Sequence, residues 1–143
     1  MSTKSPAEKL LIKPDTAVWS SYPSRLDLIQ PLPEDVRLVD RLEQATTALV
    51  FADDAGSLRD ILAAYQDQLA RPGVFWVAYP KGNRTDLNRD SLWPILGEYG
   101  MRPISQVAVD EVWSALRFRP LKEGEAPFTG GRQRRSARLL TRP

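Results

Sequence analysis

Two short runs with no polar break constrain this chain more than any other feature in it. Residues 46–52 (TTALVFA) and 74–79 (VFWVAY) are continuous apolar stretches, rich in β-branched and aromatic side chains. A strand with one wet face alternates apolar with polar residues. A run without alternation suits a strand covered on both faces, as in a parallel sheet. Between the runs, Leu58, Ile61, Leu62, Tyr65 and Leu69 follow the i, i+3, i+4, i+7 spacing of one helix face. Residues 71–73 (RPG) close that helix. Strand, helix and strand, with both strands buried, form a parallel crossover unit.

The remaining segments fit around this unit. Residues 7–12 form a short amphipathic stretch stopped at 13–15 (KPD), and 16–20 (TAVWS) read as the first strand. The polar turn 20–24 (SSYPS) leads to a short helix over 25–29 with Ser24 as its N-cap. Pro31 and Pro33 break it, and a second strand over 36–39 ends at Asp40. Beyond the loop 80–84 (PKGNR), Thr85 or Asp86 caps a helix that runs to about Tyr99, with Gly100 at its stop. Pro94 inside it implies a kink or a start at Asp90. Residues 103–109 and 113–119 are strands separated only by 110–112 (DEV), which predicts an antiparallel hairpin. In the second strand Leu116 and Phe118 face one way, and Ala115, Arg117 and Arg119 the other. The order predicts a three-layer, Rossmann-like α/β domain over residues 1–121, with a mostly parallel sheet closed by an antiparallel hairpin.

Absences narrow the chemistry. The chain has no cysteine and no histidine, which excludes disulfides, thiol nucleophiles, Cys/His zinc sites and Ser-His-Asp triads. No apolar run approaches the roughly 18 residues of a membrane span, and the first 14 residues carry no apolar signal-peptide core. A cytoplasmic protein is expected. The net charge of +2 is unevenly placed. Residues 122–143 carry Lys122, Arg132, Arg134, Arg135, Arg138 and Arg142 against Glu123 and Glu125, whereas the domain is slightly acidic. That composition predicts a disordered basic tail.

Residues 76–82 (WVAYPKG), 86–90 (DLNRD) and 109–120 (VDEVWSALRFRP) resemble the hallmarks of a bacterial family of unknown function, over most of residues 9–121. The closing helix and reversed hairpin are similar to the class I methyltransferase fold, shortened by one strand–helix unit between the second and third strands. That resemblance implies S-adenosylmethionine held by a glycine-rich turn after the first strand and by an acidic residue ending the second. Asp40 stands in the acidic position, but the turn is Ser20-Ser21-Tyr22-Pro23 and has no glycine.

Five groups are candidate sites. Ser20, Ser21 and Asp40 belong to the cofactor position that the resemblance implies. Lys81, Asn83, Arg84, Asp86, Asn88, Arg89 and Asp90 leave a strand's carboxyl end, where lysine, arginine and helix amides can hold an anion. Asp53 and Asp54, with Asp40, sit at strand ends and offer acid–base or metal chemistry, although capping explains the first two without a ligand. Asp110, Trp113, Arg117 and Arg119 on the hairpin offer a partner surface, and Arg132, Arg134, Arg135 and Arg138 offer salt-sensitive contact with nucleic acid. No metal site and no catalytic residue is assigned. Trp19, Trp76 and Trp93 read as core. With the glycines and histidine missing, the leading expectation is a non-catalytic domain without a cofactor that binds a protein partner or a small anionic ligand. A divergent S-adenosylmethionine-dependent enzyme is the alternative, and weak nucleic-acid association through the tail is the third reading.

Overall fold

The computed structural model describes residues 5–82, 85–122 and 124. The candidates Asn83, Arg84 and the tail arginines Arg132, Arg134, Arg135 and Arg138 therefore lie outside the described residues. The elements are α1 (Pro6–Lys9), β1 (Ala17–Ser20), β2 (Arg37–Leu38), β3 (Thr47–Phe51), α2 (Ala55–Ala64), β4 (Val74–Pro80), α3 (Arg89–Gly97), β5 (Met101–Ala108) and β6 (Trp113–Pro120), with 3₁₀ segments at Pro23–Ile29, Leu42–Gln44 and Gln66–Gln68.

The two unbroken apolar runs become β3 and β4, paired in parallel from Thr47 opposite Val74 to Phe51 opposite Ala78. The sheet order is β2-β1-β3-β4-β6-β5. The first four strands are parallel, and β6 runs antiparallel to both β4 and β5. Successive strand residues alternate between two cores, as the two-residue period requires. Trp19, Ala48, Val50, Phe75, Val77, Leu116 and Phe118 face α2 and α3. Val18, Leu49, Phe51, Trp76, Ala78 and Ala115 face α1 and the 3₁₀ segment after β1.

Topology explains this division. Parallel crossovers are right-handed. The chain steps from β1 outward to β2, then back across β1 to β3 and β4, so the first crossover must land on the opposite face from the later ones. The 3₁₀ segment Pro23–Ile29 lies on one face through Leu26 and Ile29. Leu42, Leu58 and Leu62 lie on the other. Trp76 fastens α1's end to the sheet by donating its indole N–H to the Leu10 carbonyl at 2.8 Å.

Several expected boundaries move. The segment after β1 is 3₁₀ and begins at Pro23 with no side-chain cap, so Ser24 is not its N-cap. The amphipathic helix is α-helical only over Ala55–Ala64, capped by Asp54, and continues as the 3₁₀ segment Gln66–Gln68. Asn88 caps α3, and Pro94 sits inside that helix on its exposed side. Pro94 costs one backbone hydrogen bond. Gly100 adopts φ +77°, a backbone conformation that suits glycine, and turns the chain into β5. The hairpin departs from plain pairing at Ile104, where a register shift between Pro103 and Ser105 blunts the sheet edge. Arg59 of α2 bonds Glu98 beyond α3 at 2.7 Å, and that hydrogen bond holds its guanidinium above the ordinary range.

Candidate functional site

In a parallel sheet, ligands collect beyond the carboxyl ends of the strands, near the point where the strand order reverses. Here that point is β1, and a cleft opens beside it. It has a volume of about 650 Å³ and lies between the ends of β1 and β2, within the usual range for small-molecule sites. Trp19, Ser20, Ser21 and Pro23 come from β1 and its turn; Leu38, Val39 and Asp40 come from the end of β2. Gln44 and Tyr65 complete the lining. Trp19 and Tyr65 meet edge to face at 4.9 Å, which fixes both rings in place. Asp40 and Gln44 are exposed side chains at the mouth.

The turn after β1 is built without glycine. Ser20 Oγ accepts from the Tyr22 amide at 3.0 Å, and Ser21 Oγ accepts from the Phe51 amide at 2.8 Å. The Ser21 amide donates to the Leu49 carbonyl at 3.0 Å. Both serines thus spend their oxygens on holding the turn to itself and to β3. Pro23 then sets the backbone for the first 3₁₀ residue.

A second group gathers at the same carboxyl end of the sheet. Arg25 Nη1 lies 2.9 Å from Asp53 Oδ1, outside hydrogen-bond geometry, and Nη2 donates to Oδ2 at 3.3 Å. The guanidinium lies between the rings of Tyr22, at 4.1 Å, and Trp113, at 4.9 Å. Trp113 in turn meets Phe51 edge to face at 5.7 Å. Arg25, Tyr22, Gln44 and Tyr65 were not among the sequence candidates. Arg25 and Asp53 lie 28 positions apart, and only strand order brings them together.

The structure separates the other candidates. Asp86 does not cap α3: its Oδ1 accepts from the Ala55 amide at 2.8 Å, so this loop carboxylate serves the N-terminus of α2. Asp54 accepts from Ser57 at the same helix end. Lys81 donates its amide to the Val112 carbonyl at 2.7 Å. Arg89 turns toward β5, where it borders a smaller cleft of about 270 Å³ with Gln106 and Leu116, while Asp90 stays exposed in the first turn of α3. Of that expected anion cluster, Asp86, Arg89 and Asp90 thus serve separate places: the start of α2, the smaller cleft and the exposed first turn of α3. Asp110 makes the hairpin turn, accepting from the amides of Val112 and Trp113 at 2.8 and 2.7 Å. Arg117 and Arg119 are half-buried rather than an exposed pair, and Arg117 Nε is buried without a hydrogen-bond partner. Trp19 and Trp76 are core side chains as expected, and Trp93 is half-buried. Among the described residues no group of three or more His, Cys, Asp or Glu side chains can hold a metal ion, and no helix is long and apolar enough to cross a membrane.

No family model and no curated protein matches this chain. Solved structures do. A protein of the NADB-Rossmann superfamily from Streptococcus agalactiae matches with a TM-score of 0.56 at 10% identity, over 90% of this chain and 72% of that one. A Streptococcus pneumoniae protein proposed as a tRNA (m1A22) methyltransferase matches with 0.53 at 10% identity, over 94% and 74%. The m1A22 tRNA methyltransferase TrmK of B. subtilis matches with 0.50 at 12% identity, over 85% and 68%. The fold is a methyltransferase-like Rossmann fold. The likeness corrects the expectation of a non-catalytic domain without a cofactor: among solved structures this architecture is matched by methyltransferases, so the methyltransferase alternative has the better support. The missing histidine weighs less than expected, because group transfer can be driven by positioning alone. The missing glycines weigh less too, because the cleft opens on the β2 side of the turn.

Proposed function

We propose that this chain is a methyltransferase-type domain that holds S-adenosylmethionine in the cleft between the ends of β1 and β2. The observation that carries the reading is the composition of that cleft. Two interlocked rings, Trp19 and Tyr65, supply apolar ring surface, and the carboxylate of Asp40 stands at the end of β2. Flat ring surface suits an adenine, and an acidic residue at this place suits ribose hydroxyls. The volume is sufficient, and Gln44 offers both a donor and an acceptor at the mouth. The amino-acid end of the cofactor meets the Ser20–Pro23 turn, where the serine oxygens already accept from Tyr22 and Phe51. Their hydroxyl hydrogens remain available to a carboxylate. When bound, the cofactor supplies a methyl group activated on a sulfonium. This chain's residues bind it, orient it and leave the carboxyl end of the sheet beside Asp53 for an acceptor. The likeness to tRNA methyltransferases makes RNA the first acceptor to test.

Calorimetry with S-adenosylmethionine and S-adenosylhomocysteine on the full chain tests the reading. Both should bind. Asp40→Ala should weaken both about tenfold or more, the loss expected for a hydrogen bond to a charged group. No heat with the unmodified chain ends the proposal.

A further inference from the structure

We infer that Tyr22, Arg25, Trp113 and Asp53 form a binding site for a flat aromatic ring, beside the cleft and at the same carboxyl end of the sheet. The five large apolar side chains that stand exposed among the described residues are Leu11, Tyr22, Leu38, Ile104 and Val112; Tyr22, 47% exposed, is the one aromatic among them. Its ring lies against the Arg25 guanidinium at 4.1 Å. Trp113 backs that guanidinium at 4.9 Å, and Asp53 holds it by an ion pair at 2.9 Å. Phe51 braces Trp113 edge to face. Three chain segments, the turn after β1, the end of β3 and the start of β6, thus fix one exposed ring in place. A surface ring that merely fills space needs no such support, whereas a ring fixed in advance saves a ligand the cost of ordering it.

Position and chemistry agree. Ser21 and Pro23, the chain neighbours of Tyr22, line the cleft, so the same turn carries both the ring and part of the cleft wall. A planar ligand stacking on Tyr22 gains contact whatever its substituents, because any aromatic ring offers a π-face. Asp53 is 56% exposed beside it, and a carboxylate engaged by one arginine keeps lone pairs for an N–H or O–H on the ligand's edge. The site therefore selects a flat ring that carries a hydrogen-bond donor. That this ring is the methyl acceptor rests on the methyltransferase reading; that it binds does not.

Titration of the isotopically labelled full chain, followed by NMR, separates the two. The probes are guanosine 5′-monophosphate, cytidine 5′-monophosphate and catechol, with ribose 5-phosphate as the ring-free control. The planar probes should shift the Tyr22 and Arg25 signals and the Trp113 indole N–H, and ribose 5-phosphate should not. Tyr22→Leu keeps an apolar side chain without the π-face and should weaken the planar probes about tenfold. An unchanged spectrum elsewhere would show that the variant is folded. Shifts confined to Trp19 and Asp40, equal shifts with ribose 5-phosphate, or undiminished binding by Tyr22→Leu overturns the site. Ring binding in a chain that gives no heat with S-adenosylmethionine keeps the site and ends the methyltransferase reading.

Discussion

Replacing Arg25 by methionine keeps an unbranched apolar stem between Tyr22 and Trp113 and removes only the planar charge. Two contributions are lost. The ion pair to Asp53 joins side chains 22% and 56% exposed, so solvent screens it and it contributes about 0.5–1 kcal/mol. The two ring contacts, at 4.1 and 4.9 Å, contribute about 0.5–1 kcal/mol each at a partly exposed site. Methionine recovers part of this through sulfur–aromatic contact, about 0.3–1.5 kcal/mol. The net loss is about 1–2 kcal/mol, a fall of roughly 3–10 °C in midpoint for a domain of this size. Urea unfolding of the four members of the Arg25→Met, Asp53→Asn cycle separates the contributions. The ionic part should appear as a coupling of about 0.5–1 kcal/mol that shrinks in 1 M salt, where screening acts within about 3 Å. The ring part should survive in the Asp53→Asn background. A loss below about 0.3 kcal/mol, or one that vanishes entirely once Asp53 is neutral, would refute the idea that the rings hold the arginine.

Other parts of the fold give further outcomes. Trp76→Phe keeps the ring in the core but strands the Leu10 carbonyl, and should cost about 1–3 kcal/mol by urea unfolding. Asp86→Ala removes the carboxylate from the Ala55 amide at the start of α2; a loss of about 0.5–1 kcal/mol is expected, together with faster amide exchange in the first turn of that helix. Gly100→Ala meets no atom within 4 Å, so its cost comes from φ +77° alone, about 1 kcal/mol by thermal unfolding. We propose that the domain ends near residue 121, since β6 closes at Pro120 and the Leu121 amide reaches the Gly100 carbonyl. Truncation after Leu121 should leave the unfolding midpoint unchanged, while any binding of RNA through the basic segment should lose its steep salt dependence.

The sheet was legible because its signal is local. The runs at residues 46–52 and 74–79 cannot be covered on one face only, and the three-residue gap between the last two strands leaves room for nothing but a hairpin. The 3₁₀ form of Pro23–Ile29 was not legible, because Pro23 and the packing of Leu26 and Ile29 decide it, and packing is not written in the spacing. The site was half legible for the same reason. Ser20, Ser21 and Asp40 follow predicted strands directly, so strand order places them at the cleft. Tyr65 and Gln44 reach it only because α2 and the Leu42–Gln44 segment fold back over β1. Asp86 looked like the cap of its own helix because a sequence shows the nearest helix start, and not one 31 positions away at the end of the neighbouring strand.

The glycine-free turn and the shortened sheet are two sides of one arrangement. Glycines after the first strand let a ligand approach the backbone between β1 and the strand that follows at the reversal. Here Ser21 bonds the Phe51 amide and the Leu49 carbonyl, which draws the turn onto β3. Arg25 and Asp53 then close that side with a charge held between two rings. On the other side β2 is two residues long and forms the sheet edge, and only the 3₁₀ segment Leu42–Gln44 connects it to β3. Where a further strand and helix would stand, Leu38 is 57% exposed and the cleft is open. On the proposed reading, a cofactor kept from the backbone between β1 and β3 enters on the β2 side instead. Restoring glycine at residue 21 would therefore loosen β1 from β3 without deepening the cleft, and any gain in cofactor affinity from Ser21→Gly would contradict this account.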